Sequence, residues 1–103
     1  MSETTLLPAS SRARRVLRIL KALKGHGTDG LSNGDLARLL KENPTNISRT
    51  LPLMIEEGMI EKRPTGHYAL GQEFLLIAMA YLDASDRSQV KLTELKQRCF
   101  SSR

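Results

Sequence analysis

Two short apolar stripes at helical spacing follow one another in this chain, with only a turn between them. The first stripe consists of Leu36, Ala37, Leu39 and Leu40, and the second consists of Ile47, Leu51, Met54 and Ile55. This spacing predicts two short helices, joined by a turn at residues 41–44. A pair of helices connected by so few residues is what a helix-turn-helix requires.

Residues at the ends of both helices support this interpretation. Ser32 is expected to cap the first helix, because its hydroxyl can accept a hydrogen bond from a free backbone N–H. The second helix opens near Asn43 or Pro44, since proline is tolerated at a first helical position, and it closes at Gly58. Pro52 lies inside the second helix and removes one backbone hydrogen bond there, so we expect a kinked helix rather than two elements.

Further elements flank the pair on both sides. A helix is predicted to begin near Ser11 and to end at Gly25. Two strands, residues 59–63 and 67–70, are joined by residues 64–66, a three-residue loop with a final glycine that is typical of a bulged hairpin. This order of elements predicts a mainly α fold with a small β-hairpin, a winged helix-turn-helix at residues 11–71, preceded by a flexible arm at residues 1–10.

The first turns of the second helix of the pair carry side chains that suit base reading. In a helix-turn-helix this helix lies in the major groove, and its N-terminal residues touch base edges. Asn46 can donate and accept together, as adenine requires, and Arg49 can bond guanine in two places. Thr45 and Ser48 carry short hydroxyls suited to phosphates or base edges, unless Thr45 only caps the helix.

Several stretches of the sequence resemble the DNA-binding part of IclR-type transcriptional regulators, namely residues 14–23, 30–40, 47–51, 56–61 and 63–71. The last stretch overlaps the predicted hairpin at residues 59–70, which is the wing of such a domain. It has the family's wing pattern, Pro-x-Gly-x-Tyr-x-Leu-Gly. The resemblance implies a winged helix-turn-helix that binds DNA. Such regulators usually carry a larger ligand-binding domain after a linker helix, and this chain ends about where that domain would begin. A small-molecule effector is therefore not implied.

The excess of positive charge lies near the N-terminus. The formal net charge is +5. Residues 1–23 contribute +4 of it, from one acid against five basic residues, Arg12, Arg14, Arg15, Arg18 and Lys21. A basic patch suits a phosphate backbone, although a solvated helix face would look the same. We expect Arg12, Arg14 and Arg15 to contact phosphates or to enter the minor groove, and Arg63 and His67 to contact DNA from the wing.

Residues 74–82 are nine apolar residues without a break. An amphipathic helix buries one stripe, whereas this segment is apolar on every side and needs a second covering surface. We expect a helical dimerisation segment at residues 72–100, whose interface is formed by Phe74, Leu75, Ile77, Ala78, Tyr81 and Leu82. In the alternative, the amphipathic segment at residues 88–100 folds back and covers the run within one chain.

The sequence offers no site for catalysis or for a metal. Cys99 is the single cysteine, which rules out an internal disulfide and a thiolate cluster, and His26 has no second ligand at metal spacing. We find no catalytic constellation and expect no enzyme and no cofactor. The predicted function is that of a cytoplasmic, dimeric, sequence-specific DNA-binding transcriptional regulator. The alternative is a winged-helix module for protein interaction or assembly with little affinity for DNA.

Overall fold

Helices dominate the computed structural model, which describes residues 11–84 and 89–101. The elements are α1 (Arg12–Leu23), α2 (Asn33–Leu40), α3 (Pro44–Glu56), β1 (Ile60–Lys62), β2 (Tyr68–Leu70), α4 (Gln72–Ala84) and α5 (Gln89–Ser101). The two strands pair antiparallel. The predicted winged helix-turn-helix is thereby confirmed. The arm predicted at residues 1–10 lies outside the described residues.

The first three helices begin at the residues that the sequence indicated. Ser11 caps α1, and the side chain of Asn43 accepts a hydrogen bond from the backbone of Thr45 at 2.7 Å. Ser32 and Asp35 form a reciprocal capping box at the start of α2, with bonds of 3.0 and 3.2 Å. The N–H of Ser32 holds the pKa of the Asp35 carboxyl below its ordinary value, because the bond favours the charged form.

The helix-turn-helix is joined by a tight turn. Lys41 adopts the left-handed conformation at the end of α2, with a φ of 53°. Its backbone N–H donates to the carbonyls of Ala37 and Arg38, which ends the helix. Helix α3 then continues without interruption through Pro52, so the prediction of one element rather than two is confirmed.

The core lies where α1, α2, α3 and β1 meet. Its largest fully buried side chains are Ile19, Leu23, Leu36, Ile47, Thr50, Leu51, Met54 and Ile60. Two residues of the predicted stripes are not part of it, because Leu39 is 57% exposed and Ile55 is 38% exposed. Neighbouring positions on a helix are about 100° apart, so Leu39 and Ile55 face solvent although the adjacent residues Leu40 and Met54 are buried.

An isolated antiparallel β-bridge between Leu31 and Tyr68 ties the hairpin to the helical core. The register pairs Ile60 with Leu70 and Lys62 with Tyr68. On the other side of β2, the N–H of Leu31 donates to the carbonyl of Tyr68 at 2.9 Å, and the N–H of Tyr68 donates back at 2.7 Å. Gly30 precedes this bridge with a φ of +70°, and a Cβ there would lie 2.0 Å from the carbonyl oxygen of Tyr68.

This close approach predicts a marked cost for Gly30→Ala. The variant meets both an unfavourable left-handed backbone and a clash with the wing, so we expect a loss of about 3 kcal/mol or more in unfolding free energy. Gly27→Ala is the matched control, because Gly27 also has a positive φ but nothing lies within 4 Å of its added Cβ. It should cost about 1 kcal/mol. Urea denaturation measures both, and equal losses would contradict the close approach.

Candidate nucleic-acid interface

The start of α3 presents a polar surface to solvent. Thr45, Ser48 and Arg49 are exposed, and Asn46 is half-buried. Positions three and four residues apart share one side of a helix, so these four side chains lie on one side of α3. The structure therefore places the four residues of α3 that were predicted to contact DNA, as base or phosphate contacts, on one side of this helix.

A fifth polar residue joins this surface from the neighbouring helix. The side-chain amide of Asn33, the first residue of α2, donates to Ser48 Oγ at 2.7 Å. This bond fixes the position of the Ser48 hydroxyl and joins the start of α2 to the face of α3. Asn33 is not among the residues that the sequence pattern predicted to contact DNA. Its only signal was its place directly after the cap residue Ser32.

The predicted DNA-binding residues of the wing contact the neighbouring strand residue Glu61 and the loop after α1. Arg63 Nη1 lies 3.2 Å from Glu61 Oε1, in an ion pair whose members are 38% and 46% exposed. His67 Nδ1 lies 3.2 Å from the carbonyl oxygen of Asp29, which links the wing to the loop after α1. Arg63 and His67 also line a shallow cavity of about 420 Å³, together with Thr28, Asp29, Pro64 and Thr65. Both predicted wing residues thus lie on one depression beside the hairpin loop.

The placement of Arg15 corrects the prediction that this residue contacts phosphate. Its side chain is only 7% exposed, because α1 turns it into the core. Arg15 Nη1 donates to Thr50 Oγ1 at 3.2 Å, and Nε lies 3.5 Å from Glu42 Oε2. A guanidinium enclosed in this way is not available to DNA.

Glu42 also contacts a second arginine of α1. Arg18 Nη1 lies 3.6 Å from Glu42 Oε2, and Arg18 Nη2 donates to the carbonyl of Leu40 at the end of α2. The positive charge that α1 offers to solvent is therefore smaller than its sequence indicates. Arg12 is exposed and Arg14 is half-buried, so both stay candidates for phosphate contacts.

Helix α4 exposes most of its apolar side chains. Of the residues predicted to form a dimer interface, Leu75, Ile77, Tyr81 and Leu82 are between 40% and 59% exposed. Phe74 and Ala78 are half-buried. An open apolar cleft of about 350 Å³ runs along this helix and is lined by Phe74, Ile77, Ala78, Tyr81 and Leu82. These side chains remain exposed although α5 follows in the described part of the chain.

Within residues 11–84 and 89–101, no three histidine, cysteine, aspartate or glutamate side chains are grouped closely enough to hold a metal ion. None of the helices described is long and apolar enough to cross a membrane.

Comparison with known proteins points to one family. The family model of the IclR helix-turn-helix domain matches residues 13–64, which include all but the first residue of α1, the helix-turn-helix and β1. This match confirms the resemblance that the sequence motifs indicated. No curated protein and no solved structure matched the chain.

The different surroundings of Arg15 and Arg12 predict different effects on stability. Arg15→Ala removes one partner of a buried ion pair and should lower the unfolding free energy by about 3 kcal/mol. Arg12→Ala is the matched control: Arg12 is exposed, so its removal should change the unfolding free energy by less than about 0.5 kcal/mol. Chemical denaturation followed by circular dichroism compares them. A small and equal effect of both variants would show that Arg15 is not part of the core.

Proposed function

The chain belongs to the family of IclR helix-turn-helix domains, and from this premise we propose that it is a sequence-specific regulator of transcription that binds double-stranded DNA as a dimer in the cytoplasm. The observation that carries the proposal is the composition of the exposed start of α3. It combines an amide, two hydroxyls and an arginine on one side of a helix, in a fold whose corresponding helix enters the major groove.

Base selection is assigned to the start of α3. Arg49 is exposed and long enough to bond the O6 and N7 atoms of guanine together, and the amide of Asn46 suits N6 and N7 of adenine. The hydroxyls of Thr45 and Ser48 are assigned to phosphate or to the nearest base edge. The Ser48 hydroxyl already accepts a hydrogen bond from Asn33. Each good bidentate contact is worth about 1–3 kcal/mol of discrimination against the wrong base.

Affinity for the phosphate backbone is assigned to three arginines and a histidine outside α3, the recognition helix; Arg12 is exposed and the other three are half-buried. Arg12 and Arg14 lie at the start of α1, and Arg63 and His67 lie at the wing. Contacts of this kind release counterions, so they supply affinity that falls with salt and position the domain without choosing a sequence. Arg15 is not included, because its guanidinium is bonded inside the fold.

Dimerisation is assigned to α4. Its exposed apolar side chains would each gain free energy on burial, at about 25 cal/mol per Å² of apolar surface. A second copy of the same helix is the simplest cover, because a two-fold axis lets one apolar surface meet itself. Such a dimer presents two recognition helices to two half-sites of a palindromic operator.

We expect the double variant Asn46→Ala, Arg49→Ala to lose DNA retention. A gel shift with a duplex selected by the wild-type protein should show a roughly tenfold or greater rise in Kd for each well-formed base contact removed. Arg98→Ala is the control for the lost charge, because Arg98 lies on α5. If the double variant retains the duplex as well as the wild-type protein does, the chain is instead a protein-interaction or assembly module.

We expect the wild-type chain to sediment as a dimer at tens of micromolar. Ile77→Glu places a charge on a side chain that is 59% exposed on the apolar helix, and should yield a monomer with an unchanged circular dichroism spectrum. Gln72→Glu, at the start of the same helix, is the charge-matched control and should stay dimeric. A monomeric wild-type protein in equilibrium sedimentation would refute α4 as a dimer interface.

A further inference from the structure

A cluster of charged and hydroxyl side chains lies between α1 and the helix-turn-helix. Its centre is Glu42, whose side chain is 7% exposed and faces Arg15 at 3.5 Å and Arg18 at 3.6 Å. Arg15 continues from there to the fully buried Thr50, with a hydrogen bond of 3.2 Å. This polar cluster is set within a core that is otherwise apolar.

The cluster holds the recognition helix at two separate points. Glu42 is the residue before Asn43, the N-cap of α3, so its contacts with α1 anchor the place where α3 begins. Thr50 lies further along α3, and its hydroxyl also donates to the carbonyl of Asn46 at 2.8 Å. One guanidinium, that of Arg15, therefore connects α1 to the start of α3 and to the turn that carries Asn46.

Apolar packing alone would hold α3 less specifically. Ile19, Ile47 and Leu51 already bury α3 against α1, but apolar contacts are not directional and tolerate small rotations. A hydrogen bond fixes an orientation, because its donor and acceptor must point at one another, and Arg15 makes such a bond to Thr50. Groups that recognise a ligand must be held within about 0.5 Å of their productive positions. A rotation of α3 by roughly 10° would move side chains at its rim by about 1 Å, given a helix diameter of 10–12 Å.

We infer that Arg15 and Glu42 are positioning residues, which fix the orientation of α3 so that Asn46 and Arg49 meet base edges, although neither residue of the pair contacts DNA. The inference rests on the proposed function. It predicts that loss of the cluster lowers the preference for one DNA sequence more than it lowers the general affinity for DNA. A cluster that only stabilised the fold would leave that preference unchanged.

The experiment removes the cluster without leaving a buried charge. In the double variant Arg15→Met, Glu42→Met, both ions are replaced by apolar side chains, an exchange that is often neutral or stabilising in other proteins. Thr50→Val removes the hydroxyl, which accepts from Arg15 and donates to the carbonyl of Asn46, whereas Thr50→Ser keeps both bonds. Ile60→Val lowers stability from β1 without touching the cluster and serves as the control.

The measurement compares Kd values for two duplexes at one salt concentration. One duplex is selected from random DNA by the wild-type protein, and the other is its scrambled sequence. For the double variant and Thr50→Val we expect the ratio of the two Kd values to fall about tenfold, the discrimination carried by one good base contact. The Kd for the scrambled duplex should stay within about twofold, because the phosphate contacts are unchanged. Thr50→Ser and Ile60→Val should keep the wild-type ratio.

The outcomes separate this inference from the proposed function. If the wild-type protein binds both duplexes equally, the proposed function is wrong, and the inference falls with it. If the wild-type protein discriminates and the variants discriminate equally well, the proposed function stands and the positioning role is refuted. Should the double variant lose its helical circular dichroism, Thr50→Val decides alone, and an unchanged ratio for that variant overturns the inference.

Discussion

The burial of Glu42 between two arginines is the interaction on which the arrangement of this domain depends. Removing a carboxylate from water costs several kcal/mol, and this cost is offset only when opposite charges and hydrogen bonds surround it closely. Arg15 and Arg18 supply the opposite charges from α1, at 3.5 and 3.6 Å, and Thr50 and the carbonyl of Leu40 accept hydrogen bonds from the two guanidinium groups. Helix α1 is thereby joined to both helices of the helix-turn-helix by directional contacts as well as by the core.

This arrangement divides the domain into two surfaces with different chemistry. The start of α3 carries uncharged polar groups and one arginine, and its neighbour Asn33 holds one of them in place. Helix α4 carries exposed leucine, isoleucine, methionine and tyrosine side chains. The first surface is suited to the edges of base pairs and the second to another apolar surface. The proposed dimer uses both, since each copy contributes one recognition helix and one apolar helix.

The features that could be predicted from the sequence depend on contacts between residues that are close together along the chain. The caps at Ser32 and Asn43 depend on bonds to residues two or three positions away, so the order of residues alone reveals them. The burial of Arg15 depends on Thr50, which is 35 residues distant, and the bond between Asn33 and Ser48 spans 15 residues. Such contacts follow from the way in which the helices pack against one another. The spacing of apolar residues along each helix does not specify that packing. For the same reason the sequence pattern predicts a phosphate contact for Arg15 as well as for Arg12 and Arg14, although Arg15 is buried.

Selection of bound sequences from random duplex DNA, performed with the wild-type chain at two salt concentrations, shows whether α3 selects bases. We expect one enriched motif with two-fold symmetry, whose half-sites lie about 10 base pairs apart centre to centre or a multiple of that distance. We also expect retention that weakens as salt rises, because exposed cations neutralise phosphates. Recovery of unrelated sequences with no common motif would contradict the claim that α3 selects bases.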